Sequence, residues 1–97
     1  MGALKIESKL FEELSKQFEN HKDEITLNVY KDAIDIARKY DKEEIQFVLF
    51  KLRYVNGDIE TGVDAVNMCF NIGRNILNVL TRKQYKLAFI YSVLEAA

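Results

Sequence analysis

The stretch IETGVDAVNMCFNIGRNILNVL, residues 59–80, decides the predicted fold because its apolar residues recur with the spacing of one helix face. The residues that follow this spacing, in steps of four and three, are Ile59, Val63, Val66, Phe70, Gly73, Leu77 and Leu80. A seven-residue apolar repeat is typical of a helix that packs against other helices along its length. Further apolar residues widen the same side, so we predict a central helix over residues 60–80.

The remaining sequence is also predicted to be helical. The chain has no proline and only four glycines, so few residues interrupt a helix. Apolar residues spaced three and four apart predict helices over residues 3–20, 23–40 and 42–55, and a fifth from residue 81 onward. A length of 97 residues suits one domain. We therefore predict an all-α fold over residues 1–97, a compact bundle of four to five helices with the fourth helix at its centre.

The fifth predicted helix is apolar on nearly every side, from Tyr85 to Ala96. A helix without a polar face is buried rather than amphipathic. Two arrangements satisfy this requirement. The helix either inserts into the core of its own chain or packs into another subunit.

The predicted third helix carries two apolar stripes. One stripe consists of Ile45, Val48, Leu49, Leu52 and Val55, and the other of Phe47, Phe50 and Tyr54. Either this helix is buried on both sides, or the aromatic stripe contacts a partner. Aromatic side chains often anchor protein interfaces, so the stripe is a candidate binding surface.

Asparagines recur along one face of the predicted fourth helix, at Asn67, Asn71, Asn75 and Asn78, and Arg74 lies between them around the axis. Asparagine is a mediocre helix former, because its amide competes for backbone hydrogen bonds. A face that is polar without charge suits partial desolvation against another protein, where amides both donate and accept. These five residues are therefore a second candidate interface, and the alternative is a face that simply contacts solvent.

Charge is distributed unevenly along the chain. The net charge is −1, but residues 1–50 hold 8 basic and 11 acidic side chains, whereas residues 51–97 hold 6 and 4. Asparagine and arginine read base edges in nucleic acids, so the basic half, with Arg74, Arg82 and Lys83, predicts nucleic-acid binding as a second interpretation. Phosphate binding requires concentrated positive charge, and Glu60 and Asp64 share the asparagine face. We therefore favour a protein partner.

Catalytic groups are scarce. His21 is the only histidine and is predicted to lie in an exposed loop, and Cys69 is the only cysteine. One cysteine forms neither an intramolecular disulfide nor a cysteine zinc cage, so we interpret Cys69 as a small buried residue. An enzyme would need His21 or a carboxylate pair in a pocket. We expect no enzymatic activity, cofactor or metal.

These patterns together predict a small non-enzymatic regulatory or inhibitory module that binds another protein, as a homodimer or in a complex with a different protein. No apolar run is long enough to cross a bilayer, so we expect no membrane partner. The single cysteine suits a reducing cytoplasm. Bacterial and phage accessory proteins often have this size and character, and we expect such an origin.

Overall fold

The structure of the chain is a computed structural model that describes residues 6–21, 25–55, 59–72 and 82–97, with side chains described in these ranges except at 55, 65, 68–72, 82 and 83. The described residues form five helices and no strand: α1 (Lys9–Asn20), α2 (Leu27–Ala37), α3 (Lys42–Val55), α4 (Ile59–Ile72) and α5 (Arg82–Ala96). The prediction of an all-α bundle of four to five helices is confirmed.

Helix α1 begins where a serine side chain caps it. Ser8 has an extended backbone, and its hydroxyl oxygen accepts a hydrogen bond from the Phe11 N–H at 3.2 Å. A capping residue stands outside the helix, so the prediction of a helix from residue 3 is wrong for residues 6–8. The core side of α1 follows the predicted four-residue spacing, because Leu10, Leu14 and Phe18 are all completely buried.

Helix α2 is shorter at both described ends than the predicted span 23–40. Thr26 caps it, accepting a hydrogen bond from the Val29 N–H at 3.3 Å. Its last turn tightens, because the N–H groups of Lys39 and Tyr40 donate to carbonyls three residues earlier. A stripe of small residues, Val29, Ala33 and Ala37, is buried against the core.

Helix α3 has the predicted bounds, 42–55, whereas α4 is described only to Ile72. The predicted continuation of α4 over residues 73–80, including Gly73, lies outside the described residues. The predicted apolar stripe of α4 is buried at its three described positions, Ile59, Val63 and Val66. The apolar spacing therefore gives the correct core side for both helices.

Helix α5 occupies the centre of the described bundle. It contacts all four other helices, and its residues 87–94 are buried without interruption. The prediction that the fourth helix is central is therefore wrong over the described residues, where α4 packs chiefly on α5. The open question about the fifth helix is also answered, because α5 inserts into the core of its own chain.

The centre of the bundle is built from aromatic rings. The rings of Phe18 and Tyr85 meet edge to face with centroids 5.3 Å apart, and Phe89 lies 5.8 Å from Phe18 and 6.1 Å from Tyr30. Separations of this size are favourable for aromatic pairs. The cluster joins α1, α2 and α5 into one core and leaves α3 packed on the outside of α5.

Candidate functional site

Helix α3 has one buried side and one exposed aromatic side. Its buried side consists of Val48 and Leu52, which are completely buried, and of Ile45 and Leu49, which pack against the core. The exposed side chains are Phe47, Phe50 and Tyr54, with 40%, 63% and 79% of their surface accessible. At 100° per residue, these two sides point in nearly opposite directions. The alternative in which α3 is buried on both sides is therefore wrong.

The exposed side chains Phe47, Phe50 and Tyr54, which we call the aromatic face, are held by contacts along their own helix. The rings of Phe50 and Tyr54 stack with centroids 6.3 Å apart and planes 26° from parallel. The ammonium nitrogen of Lys51 lies 5.6 Å from the centroid of the Phe47 ring, within cation–π range. These contacts order the aromatic face, although no other described helix covers it.

The flanking charges differ between the two ends of α3. Glu43 and Glu44 lie in the first turn, and Lys51 and Arg53 lie toward the last turn. Acidic groups near a helix N-terminus and basic groups near its C-terminus both complement the helix dipole. The aromatic face is therefore acidic at one end and basic at the other, and carries almost no net charge.

Arg53 fastens the C-terminal part of α3 to α5. Its Nε–H donates a hydrogen bond to the Tyr91 hydroxyl, and its guanidinium carbon lies 5.6 Å from the Tyr91 ring centroid. The hydrogen bond to Tyr91 raises the pKa of Arg53 above its ordinary value, and Glu60 and Glu95 add to the rise. Arg53 is therefore a positively charged side chain that is held against α5. Sequence reasoning missed this contact because the two residues lie 38 positions apart.

The N-terminal part of α3 is fastened by a different polar contact. The Ser8 hydroxyl donates a hydrogen bond to Glu44 Oε2 at 2.5 Å. Asp41 and Glu44 have the spacing of a capping box, in which Glu44 would reach back to the Asp41 N–H, but the Glu44 carboxylate accepts a hydrogen bond from Ser8, the N-cap of α1. The aromatic face consequently sits on a helix that is tied to α1 at one end and to α5 at the other.

The asparagine face is described only at its first residue. Asn67 is exposed, and its Oδ1 accepts a long hydrogen bond of 3.5 Å from the Ser92 hydroxyl. Ser92 Oγ lies 2.9 Å from the Tyr30 hydroxyl, so a polar chain crosses from α4 through α5 to α2. Arg74, Asn75 and Asn78 and the side chain of Asn71 lie outside the described residues, so an interface through them stays a prediction.

A groove of about 1020 Å³ lies between the start of α1, the end of α2 and the start of α3. Ile6, Phe11 and Tyr40 supply apolar lining, and Ser15 Oγ is buried beside them with no hydrogen-bond partner among the described groups. His21 does not line this groove; it is exposed at the C-terminal end of α1, and the predicted exposure is confirmed.

The part of the chain that the structure describes contains neither a metal-binding cluster nor a membrane-spanning helix. Among those residues, no group of three histidine, cysteine or acidic side chains is arranged to hold a metal ion. The described helices also include none whose length and apolar character would let it span a membrane. The side chain of Cys69 lies outside the description. The aromatic face is thus the surface that departs most clearly from an ordinary solvated helix.

Comparison with protein-family models finds no match for this chain, and comparisons with curated proteins and with solved structures find none either.

Proposed function

We propose that this protein is a small non-enzymatic regulatory or inhibitory module that binds another protein through the aromatic face. The observation that carries the proposal is the exposure of Phe47, Phe50 and Tyr54 directly opposite the buried side of α3. Large apolar side chains that gather on one exposed helix face are typical of interaction surfaces. The single cysteine further supports action in a reducing cytoplasm.

The contacts along α3 favour binding because the side chains of the aromatic face are already ordered before a partner binds. The stacked Phe50–Tyr54 pair and the Lys51–Phe47 contact already restrict these side chains. Ordering a flexible side chain at an interface costs roughly 0.5–1.5 kcal/mol, and a preordered aromatic avoids much of this cost. Phe50 and Tyr54 present the largest exposed area of the three side chains.

Nucleic-acid binding through the basic C-terminal half remains the alternative prediction. Lys86 Nζ lies 4.0 Å from Glu19 Oε2, so this cation is partly neutralised within its own chain. Arg74 and the side chains of Arg82 and Lys83 lie outside the described residues. No described contact favours this function, and the experiment below distinguishes it from protein binding.

Affinity capture from a lysate of the source organism, with and without nuclease, tests the proposal. Three baits are compared: the unchanged chain, the triple variant Phe47→Ser/Phe50→Ser/Tyr54→Ser, and the control Leu27→Ser. Leu27 is 48% exposed on α2, so its variant also removes an exposed apolar side chain but leaves the aromatic face intact. Far-UV circular dichroism establishes that all three baits are folded.

We expect one stoichiometric protein that survives nuclease, binds the unchanged and Leu27→Ser baits, and is lost from the triple variant. A second copy of this chain is itself a candidate partner. The bait and the copy in the lysate therefore differ in isotope composition, so that mass spectrometry distinguishes a captured copy from the bait. A protein that is retained by the triple variant contradicts a role for the aromatic face. Capture of nucleic acid alone, abolished by nuclease, would replace the proposal with the alternative function.

A further inference from the structure

We infer that the partner on the aromatic face is a second copy of this chain, bound with its α3 antiparallel to the first. The inference rests on the proposed function, because it names the partner of the same surface. It follows from the order of charges and rings along α3. Glu43, Phe47 and Lys51 follow one another at intervals of four residues, so an acid and a base flank the same ring.

The spacing of these charges is symmetric about Phe47. At a rise of 1.5 Å per residue, Glu43 lies about 6 Å from Phe47 along the helix axis, and Lys51 lies about 6 Å away in the other direction. All three lie within about 80° of one another around the helix axis, at 100° per residue; Glu43 and Phe47 are exposed, and Lys51 is half-buried. The face therefore carries an acid, a ring and a base in a row.

A two-fold axis near Phe47 makes this row self-complementary. In an antiparallel pair, Glu43 of each copy lies opposite Lys51 of the other, so two ion pairs flank the central Phe47 rings. A two-fold axis makes each contact between the two copies occur twice, and two-fold symmetry is the commonest symmetry of homodimers. A parallel pair would instead place Glu43 against Glu43 and Lys51 against Lys51, which is repulsive.

The same charges argue against a polyanionic partner. Nucleic acid would bring phosphates against Glu43 as well as Lys51, and Arg53 is already engaged by Tyr91 and Glu95. A polyanion needs one sign of charge along its path. A copy of the same face supplies both signs in the matching order.

The exposed area indicates a weak and reversible dimer. Taking about 200 Å² for a full aromatic side chain, the exposed fractions of the three rings amount to roughly 350–400 Å² of aromatic surface per copy. A stable interface buries about 800 Å² per partner. The aromatic face supplies about half of that area, so we expect a dissociation constant in the micromolar range.

Charge exchange between two variants tests the inference sharply. Glu43→Lys places two cations opposite each other in a homodimer, and Lys51→Glu places two carboxylates opposite each other. When the two variants are mixed, every facing pair becomes opposite in sign again. The double variant Glu43→Lys/Lys51→Glu restores the attraction within a homodimer in the same way.

Sedimentation equilibrium of the full chain, over concentrations from about 1 μM to 1 mM, measures the mass against the 11.3 kDa of one copy. We expect the unchanged chain to approach twice that mass. Each single variant should dissociate at least tenfold more readily, and the mixture and the double variant should return to within about threefold of the unchanged chain. Native mass spectrometry with one variant isotope-labelled identifies the mixed dimer.

The control exchanges a charged pair on another helix. Lys31 and Asp35 are exposed on α2, four residues apart, and Lys31→Glu and Asp35→Lys should leave dimerisation unchanged. Circular dichroism excludes unfolding, and Phe50→Ser provides a second, charge-independent disruption of the same face.

A chain that remains monomeric at 1 mM overturns the inference. So does a dimer that ignores the charge exchange. The proposed function survives either result if the captured protein is a different one that still requires Phe47, Phe50 and Tyr54. Both proposals fail together only if no binding of any kind depends on the aromatic face.

Discussion

At the residue scale, Ser8 joins α1 to α3 through one hydroxyl group. The oxygen accepts the Phe11 N–H at 3.2 Å, and the hydroxyl donates to Glu44 Oε2 at 2.5 Å. Ser8→Ala removes both hydrogen bonds. A lost helix cap costs about 1 kcal/mol and a hydrogen bond to a carboxylate about as much again. We expect Ser8→Ala to lower the free energy of unfolding by about 2 kcal/mol, measured by urea denaturation.

Thr26→Ala is the matched control for that measurement. Thr26 caps α2 through the same kind of hydrogen bond, at 3.3 Å from the Val29 N–H, and the residue is exposed. This variant should therefore lose only about 1 kcal/mol. Equal losses for the two variants would mean that the contact between Ser8 and Glu44 adds nothing to stability.

At the scale of elements, α4 and α5 approach each other at a glycine. A Cβ atom on Gly62 would lie 3.1 Å from the Cβ of Ala88, which is closer than an ordinary contact. Gly62→Leu forces the helices apart and should lower the free energy of unfolding by about 1–3 kcal/mol. Gly62→Ala adds about 1 kcal/mol of helix propensity, but the close contact offsets this gain.

A double-mutant cycle separates the gain in helix propensity from the close contact between residues 62 and 88. In an Ala88→Gly background the opposing Cβ is absent, so Gly62→Ala should there recover its full gain of about 1 kcal/mol. Urea denaturation of the four proteins in the cycle gives the coupling free energy directly. An identical effect of Gly62→Ala in both backgrounds would show that α4 and α5 do not approach closely at this position.

The sequence predicted which side of each helix faces the core better than it predicted where the helices end or which helix is central in the bundle. Four-residue apolar spacing correctly identified Leu10, Leu14 and Phe18, because helical geometry alone puts them on one face. The start of α1 was misplaced because Ser8 also fits inside a helix, and its capping role depends on an extended backbone. Over the described residues, the central helix was misassigned because periodicity indicates an apolar face but not how many neighbouring helices cover that face.

From the sequence, the aromatic stripe of α3 could be assigned either to the core or to an interface, but not to one of the two. Phe47, Phe50 and Tyr54 form a stripe in any helix over residues 42–55, but core and interface stripes have the same spacing. Their exposure follows from where α3 sits, on the outside of α5 with Val48 and Leu52 inward. The ties from Ser8 to Glu44 and from Arg53 to Tyr91 were inaccessible to sequence reasoning, because each joins residues more than 30 positions apart.

At the scale of the whole molecule, the aromatic face lies outside the hydrophobic core of the bundle. The core is complete without it, since α5 is buried among the other four helices. Replacing Phe50, which is 63% exposed, should therefore leave the stability of a dilute monomer almost unchanged. Any effect of this face on stability should appear only through association.

The concentration dependence of thermal unfolding follows from this separation. If the native chain dimerises and the unfolded chain does not, mass action raises the melting temperature as the protein becomes more concentrated. Each tenfold increase above the dissociation constant adds about 0.7 kcal/mol per chain, or roughly 3–5 °C for a domain of this length. Calorimetry should show this rise for the unchanged chain and a constant melting temperature for Phe50→Glu. Parallel curves for the two proteins would place the association on some other surface of the bundle.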